Sequence, residues 1–181
     1  MGLKELRIGE LCAKIPVIQG GMGVGISLHR LAGAVAAEGG VGIYTREDAE
    51  HAVSLGAAGV QMGTRFVTTP ECDASDEYKQ AYINAKKEDI VIVQSPVGMP
   101  GRAINNAFMK RAKEGRIPHS KCHLCVSTCK PAETPYCITD ALVNAAVGNV
   151  DEALLFCGSN AYRAKKLESV KDIMQEFAVK E

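Results

Sequence analysis

This sequence has no surplus of charge of either sign: 21 basic residues stand against 21 acidic ones, for a formal net charge of +0 and a sequence pI near 6.9. Such a balance provides no general field for nucleic acid or for an anionic membrane surface. It also has no apolar run approaching the length of a membrane span. Met1 to Glu10 alternates charged and apolar residues without the apolar centre of a signal peptide. Internal repeats and low-complexity linkers are missing too, so neither a solenoid nor a chain of tethered modules is expected. Seven cysteines, an odd number with no secretion signal, speak for a reducing compartment rather than a disulfide scaffold, and a cytoplasmic location is expected.

What is present is an alternation of short apolar strands and amphipathic helices, in a composition that is 46% hydrophobic and 23% charged. The apolar run Ile15 to Ile18 opens into Gln19-Gly20-Gly21-Met22-Gly23. A second run, Ala57 to Met62, opens into Gly63-Thr64-Arg65-Phe66. A parallel strand that ends in glycine can deliver backbone amides to a phosphate or a ring, because no Cβ blocks the approach. The same glycines also serve simply as turn residues.

Between and after these strands, Ser27 is placed to cap a helix with Leu28, Leu31, Ala32, Val35 and Ala36 on one face. Thr45 and Asp48 suggest a capping box for a second helix bearing Ala49, Ala52 and Val53. Thr69-Pro70 is expected to open a third helix through Tyr78, Ala81, Tyr82 and Ala85, followed by a strand over Ile90 to Val93 and a loop over Ser95 to Gly101. Further helices are expected at Ala103 to Glu114, Thr139 to Val147 and Ser169 to Val179, the last with Val170, Ile173, Met174 and Phe177 on one face.

In this order, the two glycine-rich strand ends, Ser95-Pro96-Val97-Gly98-Met99-Pro100-Gly101-Arg102, Pro135-Tyr136-Cys137-Ile138 and Phe156-Cys157-Gly158 resemble the nitronate monooxygenase family. That family was formerly called the 2-nitropropane dioxygenases, and the flavin-dependent enoyl reductases belong to it. Residues 1 to about 43 resemble its first strand, first helix and the start of its second strand. Residues from about 43 onward resemble its seventh helix, eighth strand and tail. The join falls within Gly39-Gly40-Val41-Gly42-Ile43-Tyr44-Thr45, and the middle of the barrel is missing. Length agrees, since a TIM barrel takes about 250 residues and this chain has 181.

The fold class implied is α/β: an abbreviated (β/α) barrel of TIM type, open or incomplete, with a helical carboxyl-terminal tail. Residues 1–94 would be the flavin-binding barrel portion, and residues 95–181 a helical, cysteine-containing tail packed on it in a single domain. Three strand-helix units cannot close a barrel. The first 66 residues are therefore expected to form an open parallel sheet of about three strands, with an edge that invites self-association or a complementing chain.

The resemblance implies FMN, with Gly20, Gly21 and Met22 lining the isoalloxazine ring. The loops after the last two strands of a barrel commonly hold a phosphate, which assigns Gly42, Met62, Gly63 and Thr64 to that of FMN. Where the family has two adjacent glycines in the first of these loops, this chain has Val41-Gly42. The activity implied is oxidation of a small-molecule alkyl nitronate with oxygen, or reduction of an enoyl thioester. The family's histidine lies in a Gly-Gly-His stretch that this sequence lacks, so no residue inherits the catalytic role. His29 and His51 fall within expected helices, where a histidine is more often a polar surface residue than a base. A reading of another class is a non-catalytic barrel fragment serving as a binding or assembly module.

A separate constellation is Cys122-His123-Leu124-Cys125, then Cys129 and Cys137. Four thiols within sixteen residues, opening with C-x2-C, suit zinc or an iron–sulfur cluster, and His119 and His123 offer substitute ligands. The same cysteines also suit plain packing, because a free thiol behaves as a small hydrophobe. Cys12, Cys72 and Cys157 are isolated and expected to pack.

Overall fold

The computed structural model describes residues 5–8, 11–15, 17–19, 46, 49–50, 54, 60–98, 100–119, 121–127 and 129–178. Two compact units emerge. One comprises Met1–Asp73 together with Lys166–Glu181, the other Ala74–Lys165.

In the first unit, β1 (Leu6–Ile8) and β2 (Leu11–Ala13) form an antiparallel hairpin, with Ile8 opposite Leu11. The parallel sheet expected over this stretch did not include it, although the two intervening residues Gly9-Glu10 carry the glycine-first signature of a two-residue hairpin connection. β3 (Val17–Gln19) and β4 (Val60–Met62) do pair in parallel, in the register Val17 to Val60, Ile18 to Gln61 and Gln19 to Met62. The expected helix at Leu28 to Ala36 lies outside the described residues. Of the helix expected after Thr45, residues Arg46, Ala49, Glu50 and Ser54 are helical, and Ala49 is buried.

After β4 the chain turns at Gly63 into a single helical turn, α1 (Thr64–Val67), too short to leave a periodic signature in the sequence. The third helix does not open at Thr69-Pro70. The Thr69 hydroxyl donates to the Phe66 carbonyl at 2.9 Å and accepts from the Cys72 amide at 3.1 Å, closing the turn after α1 instead. In the second unit the helix, α2 (Asp76–Asn84), begins where Ser75 accepts from the Tyr78 amide and Asp76 and Glu77 occupy the first turn.

β5 (Ile90–Gln94) and β6 (Pro100–Ile104) form an antiparallel pair, so Pro100-Gly101 ends the loop rather than belonging to it. Proline is tolerated there because β5 and β6 are a two-stranded sheet in which Pro100 is the first strand residue. Gly101 lacks the Cβ that would overlap the Phe156 ring. Phe156-Cys157-Gly158 then runs along β6: Ala103 bridges Phe156, and the Arg102 carbonyl accepts from the Cys157 amide at 2.9 Å. The helix expected from Ala103 starts later, as α3 (Ala107–Glu114), because Asn106 is its cap and accepts from the Met109 amide.

α4 (Ile138–Val147) and α5 (Val170–Phe177) fall where the sequence places them. Among the described residues the three sheets are two-stranded and none closes. The first unit's core is Val17, Ala49, Met62 and Phe66 against Val170, Ile173, Met174 and Phe177 of α5. The second unit's core gathers Val93, Ala103, Phe108, Met109, Tyr136, Ala141 and Leu154.

α4 ends on Gly148 at φ +92°, where an added Cβ would lie 2.7 Å from both Ser75 Oγ and Glu77 Oε2. Gly98 has a similar φ of +88°, with open space around it. Gly148→Ala is expected to destabilise the chain by about 2 kcal/mol, because steric overlap adds to the left-handed backbone penalty, and Gly98→Ala by about 1 kcal/mol. Urea unfolding of the two variants checks this, and equal losses would refute the packing role given to Gly148.

Candidate functional site

Two places carry the residues singled out by the sequence, one in each unit. The first is the corner where β4 ends. Because β3 and β4 are parallel and Gln19 pairs with Met62, the two strands end side by side. Gly63 occupies the N-cap of α1 without a side-chain cap, and Gly63 and Thr64 are half-buried. A strand end running into a helix start directs backbone N–H groups outward, the donor set that suits a phosphate. Met62 differs from its neighbours: its side chain is 2% exposed and belongs to the core, leaving only its backbone to face a ligand. Gly20, Gly21, Met22 and Gly42 lie outside the described residues.

Just beyond this corner, Arg65 ties the strand end to α5. Its guanidinium is 2.7 Å from Glu176 and 3.0 Å from Glu168, while its buried Nε has no partner among the described residues. The Thr68 carbonyl accepts from the Glu168 amide at 3.1 Å, and the Glu71 carboxylate accepts from the Val170 amide at 3.2 Å. Ser169 caps α5 in the ordinary way, accepting from the Asp172 amide at 3.1 Å. At the other end Arg46 donates to the carbonyls of Glu176 and Ala178, at 3.3 and 2.8 Å. Thus α5 is held at both ends by the elements that form the corner.

The second place is a cavity of about 210 Å³ in the other unit. Cys122, Cys125, Cys129 and Cys137 all line it, together with His119, His123, Thr134 and the Pro96-Val97 turn. The four cysteine residues thus border one space. Among the described residues, however, the set whose ligand atoms come within 4.8 Å of one another is His123, Cys137 and Asp140. Cys137 is the N-cap residue of α4 and Asp140 stands in its first turn, so their i, i+3 spacing puts them on one face. His123 Nε2 lies 2.6 Å from Asp140 Oδ1. In the sequence, Asp140 is marked only by the Cys137-x2-Asp140 spacing at a helix start.

Two buried polar atoms on this cavity wall have no partner among the described residues, His119 Nδ1 and Thr134 Oγ1. Leu124, between Cys122 and Cys125, is 89% exposed and adopts φ +52°, an unusual conformation for leucine. Burial pushes the Cys137 thiol above its ordinary value, and burial pushes that of Cys157 up to about 12. All seven cysteines are free thiols. Cys72 is buried, as expected of a packing residue, whereas Cys12 is exposed, its thiol directed at Glu5, and Cys157 is half-buried.

The nitronate monooxygenase family profile matches residues 41–179, most of the chain, beginning inside the stretch where the two sequence blocks join. The chain belongs to the nitronate monooxygenase family. This is a family of flavin-dependent oxidoreductases. A probable nitronate monooxygenase of Staphylococcus haemolyticus is 46% identical over 66 residues, covering 35% of this chain and 18% of the relative. One from Staphylococcus aureus strain Newman is 44% identical over 68 residues, covering 36% and 19%. FabK from Thermotoga maritima superposes with a TM-score of 0.55 at 27% identity, over 70% of this chain and 37% of that one. The chain thus spans well under two thirds of each relative. Among the described residues no helix is long and apolar enough to cross a membrane.

Within the family motif Pro135-Tyr136-Cys137-Ile138, Tyr136 is 2% exposed and donates to the Gln94 carbonyl at 3.1 Å. Burial pushes its hydroxyl up to about 12. An acid whose folded pKa is raised contributes stability below its unfolded value, near 10, and loses it as pH climbs toward the folded value. Tyr136→Phe is expected to lower stability at pH 7 by about 1 kcal/mol through the lost hydrogen bond, and to flatten the decline between pH 10 and 12. Urea midpoints across that range check it, and an unchanged alkaline slope would remove Tyr136 from the account.

Proposed function

We propose that this chain is the flavin-binding portion of a nitronate-monooxygenase-type oxidoreductase, with FMN as its cofactor and a small anionic alkyl nitronate as substrate. The observation that carries the reading is the Met62-Gly63-Thr64 corner: a half-buried glycine at the carboxyl end of a parallel strand, opening a helical turn, inside the family match. The FMN phosphate would be held by the backbone of Met62, Gly63 and Thr64 with Gly42, and the ring would lie along Gly20, Gly21 and Met22. The flavin supplies the redox chemistry when bound. The chain's own residues bind and orient it.

What this sequence lacks limits the rate. Without a Gly-Gly-His stretch no histidine stands in the family's catalytic place. An open set of strands excludes little water from a bound ring, and exclusion and orientation supply much of an enzyme's acceleration. The pieces read as an incomplete TIM-type barrel, completed by a second copy or a complementing chain. If no flavin binds, the chain is an assembly module instead. An enoyl thioester is the alternative substrate within the family. A cytoplasmic location accords with seven free thiols. The tail adds a candidate metal, either at Cys122, Cys125, Cys129 and Cys137 as their spacing suggests or at the neighbouring His–Cys–Asp group.

Titration with FMN is expected to quench flavin fluorescence with saturation. Gly63→Val should weaken binding by at least about tenfold by placing a side chain in the phosphate's approach, with Gly98→Ala as a control that leaves it unchanged. Oxygen uptake on propyl nitronate is expected to equal that of free FMN. Absence of quenching would overturn the flavin reading in favour of the assembly module, and uptake well above the free-FMN rate would overturn the account of what the missing strands supply.

A further inference from the structure

We propose that His123, Cys137 and Asp140 form a zinc site in the tail, with its fourth position open to the neighbouring cavity. Their ligand atoms already lie within 4.8 Å of one another. Imidazole nitrogen, thiolate sulfur and carboxylate oxygen are a donor set that zinc takes, with bonds of about 2.0–2.3 Å, whereas magnesium and calcium prefer oxygen alone. In the metal-free geometry His123 Nε2 and Asp140 Oδ1 stand 2.6 Å apart, within hydrogen-bond distance. A tetrahedral ion with bonds near 2.0 Å needs its ligands about 3.3 Å apart. The pair has only to open by a fraction of an ångström to admit the cation, the neutral imidazole keeping its one proton on Nδ1 while Nε2 ligates.

The charges balance. Binding releases the Cys137 thiol proton, and the resulting thiolate with the Asp140 carboxylate neutralises a divalent ion beside a neutral imidazole. The start of α4 fixes Cys137 and Asp140 on one face. His123 comes from the exposed segment before it, so the ion would clasp that segment to the helix.

An independent observation is that the adjoining cavity presents buried polar atoms still in need of a partner. Thr134, 9% exposed, has its hydroxyl buried with no partner among the described residues, and so does His119 Nδ1, both on the wall of the same cavity. Buried polar groups left unpaired in this way are uncommon. A water on the open zinc position supplies a partner of the right kind.

The site departs from the four-cysteine arrangement suggested by the spacing, because only Cys137 is shared. Cys122, Cys125 and Cys129 line the cavity without joining the set of ligand atoms. The proposal does not depend on flavin, and its test uses none.

The full chain, reduced and stripped with chelator, is titrated with Co2+ and then with Zn2+. One equivalent of Co2+ is expected to give ligand-field bands of a tetrahedral ion together with a thiolate-to-cobalt charge-transfer absorption, both displaced by one equivalent of Zn2+. Cys137→Ser should abolish the charge-transfer absorption. His123→Ala and Asp140→Asn should each weaken Zn2+ binding by at least about tenfold, while Cys122→Ser, Cys125→Ser and Cys129→Ser leave it within about threefold. Zn2+ should also slow alkylation of Cys137 in the unsubstituted chain, a readout that needs no variant to fold. Zinc affinity weaker than about 10 μM, or Cys137 alkylation indifferent to Zn2+, overturns the proposal. So does a charge-transfer absorption that survives Cys137→Ser and is lost in the Cys122 and Cys125 variants, which would return the metal to the cysteine cluster.

Discussion

The parallel pairing of Val17–Gln19 with Val60–Met62 is the contact on which the first unit depends, and it is weak by itself. Three residues a side make little sheet, and an isolated two-stranded ladder is at best marginal in water. What makes it tenable is α5. Val170, Ile173, Met174 and Phe177 are buried against Val17, Met62 and Phe66, each such side chain contributing on the order of 1.5–3 kcal/mol. Arg65 with Glu168 and Glu176, and Glu71 with the Val170 amide, fix where that helix lies. The glycine corner is therefore positioned by residues from the far end of the sequence.

That pairing also suits a chain that spans only part of the length of its barrel-forming relatives. In a closed barrel the first and last strands are neighbours, since closure is what brings them together. Strands resembling the family's first and eighth are thus natural partners even when the strands between them are absent. Their common direction needs a connection of a dozen or more residues, and forty residues separate Gln19 from Val60. The strand ends then stand side by side without requiring the remainder of the cylinder.

Elements whose partners are close in sequence, or whose periodicity is long, were legible from residues alone. The buried face of α5 follows the i, i+3, i+4, i+7 rule, and β5 is a plain apolar run. Two of the remaining elements shift for different reasons, one through a distant contact and one through a competing local cap. Pro100-Gly101 reads as loop until Phe156, far along the chain, is seen to need the space that Gly101 leaves. Thr69-Pro70 has the composition of a helix start, yet the Thr69 hydroxyl is spent on the turn after α1, and Ser75 takes the cap. At the candidate sites the same division holds. The corner at Gly63 and the gathering of the four cysteines follow from local motif and spacing. The approach of His123 to Asp140, across a stretch with no regular structure among its described residues, does not.

The two candidate sites ask different things of the chain. A phosphate corner needs little more than backbone amides at a strand end, which tolerate extensive loss elsewhere because the donors belong to the main chain. Catalysis needs side chains held to a fraction of an ångström and water kept out, and those are the properties a barrel acquires from all of its strands together. The tail is a separate case. Its candidate ligand atoms come from one helix start and one preceding segment, both inside the unit spanning Ala74–Lys165. A phosphate corner and a site built from one helix start therefore ask less of the rest of a barrel than catalysis does.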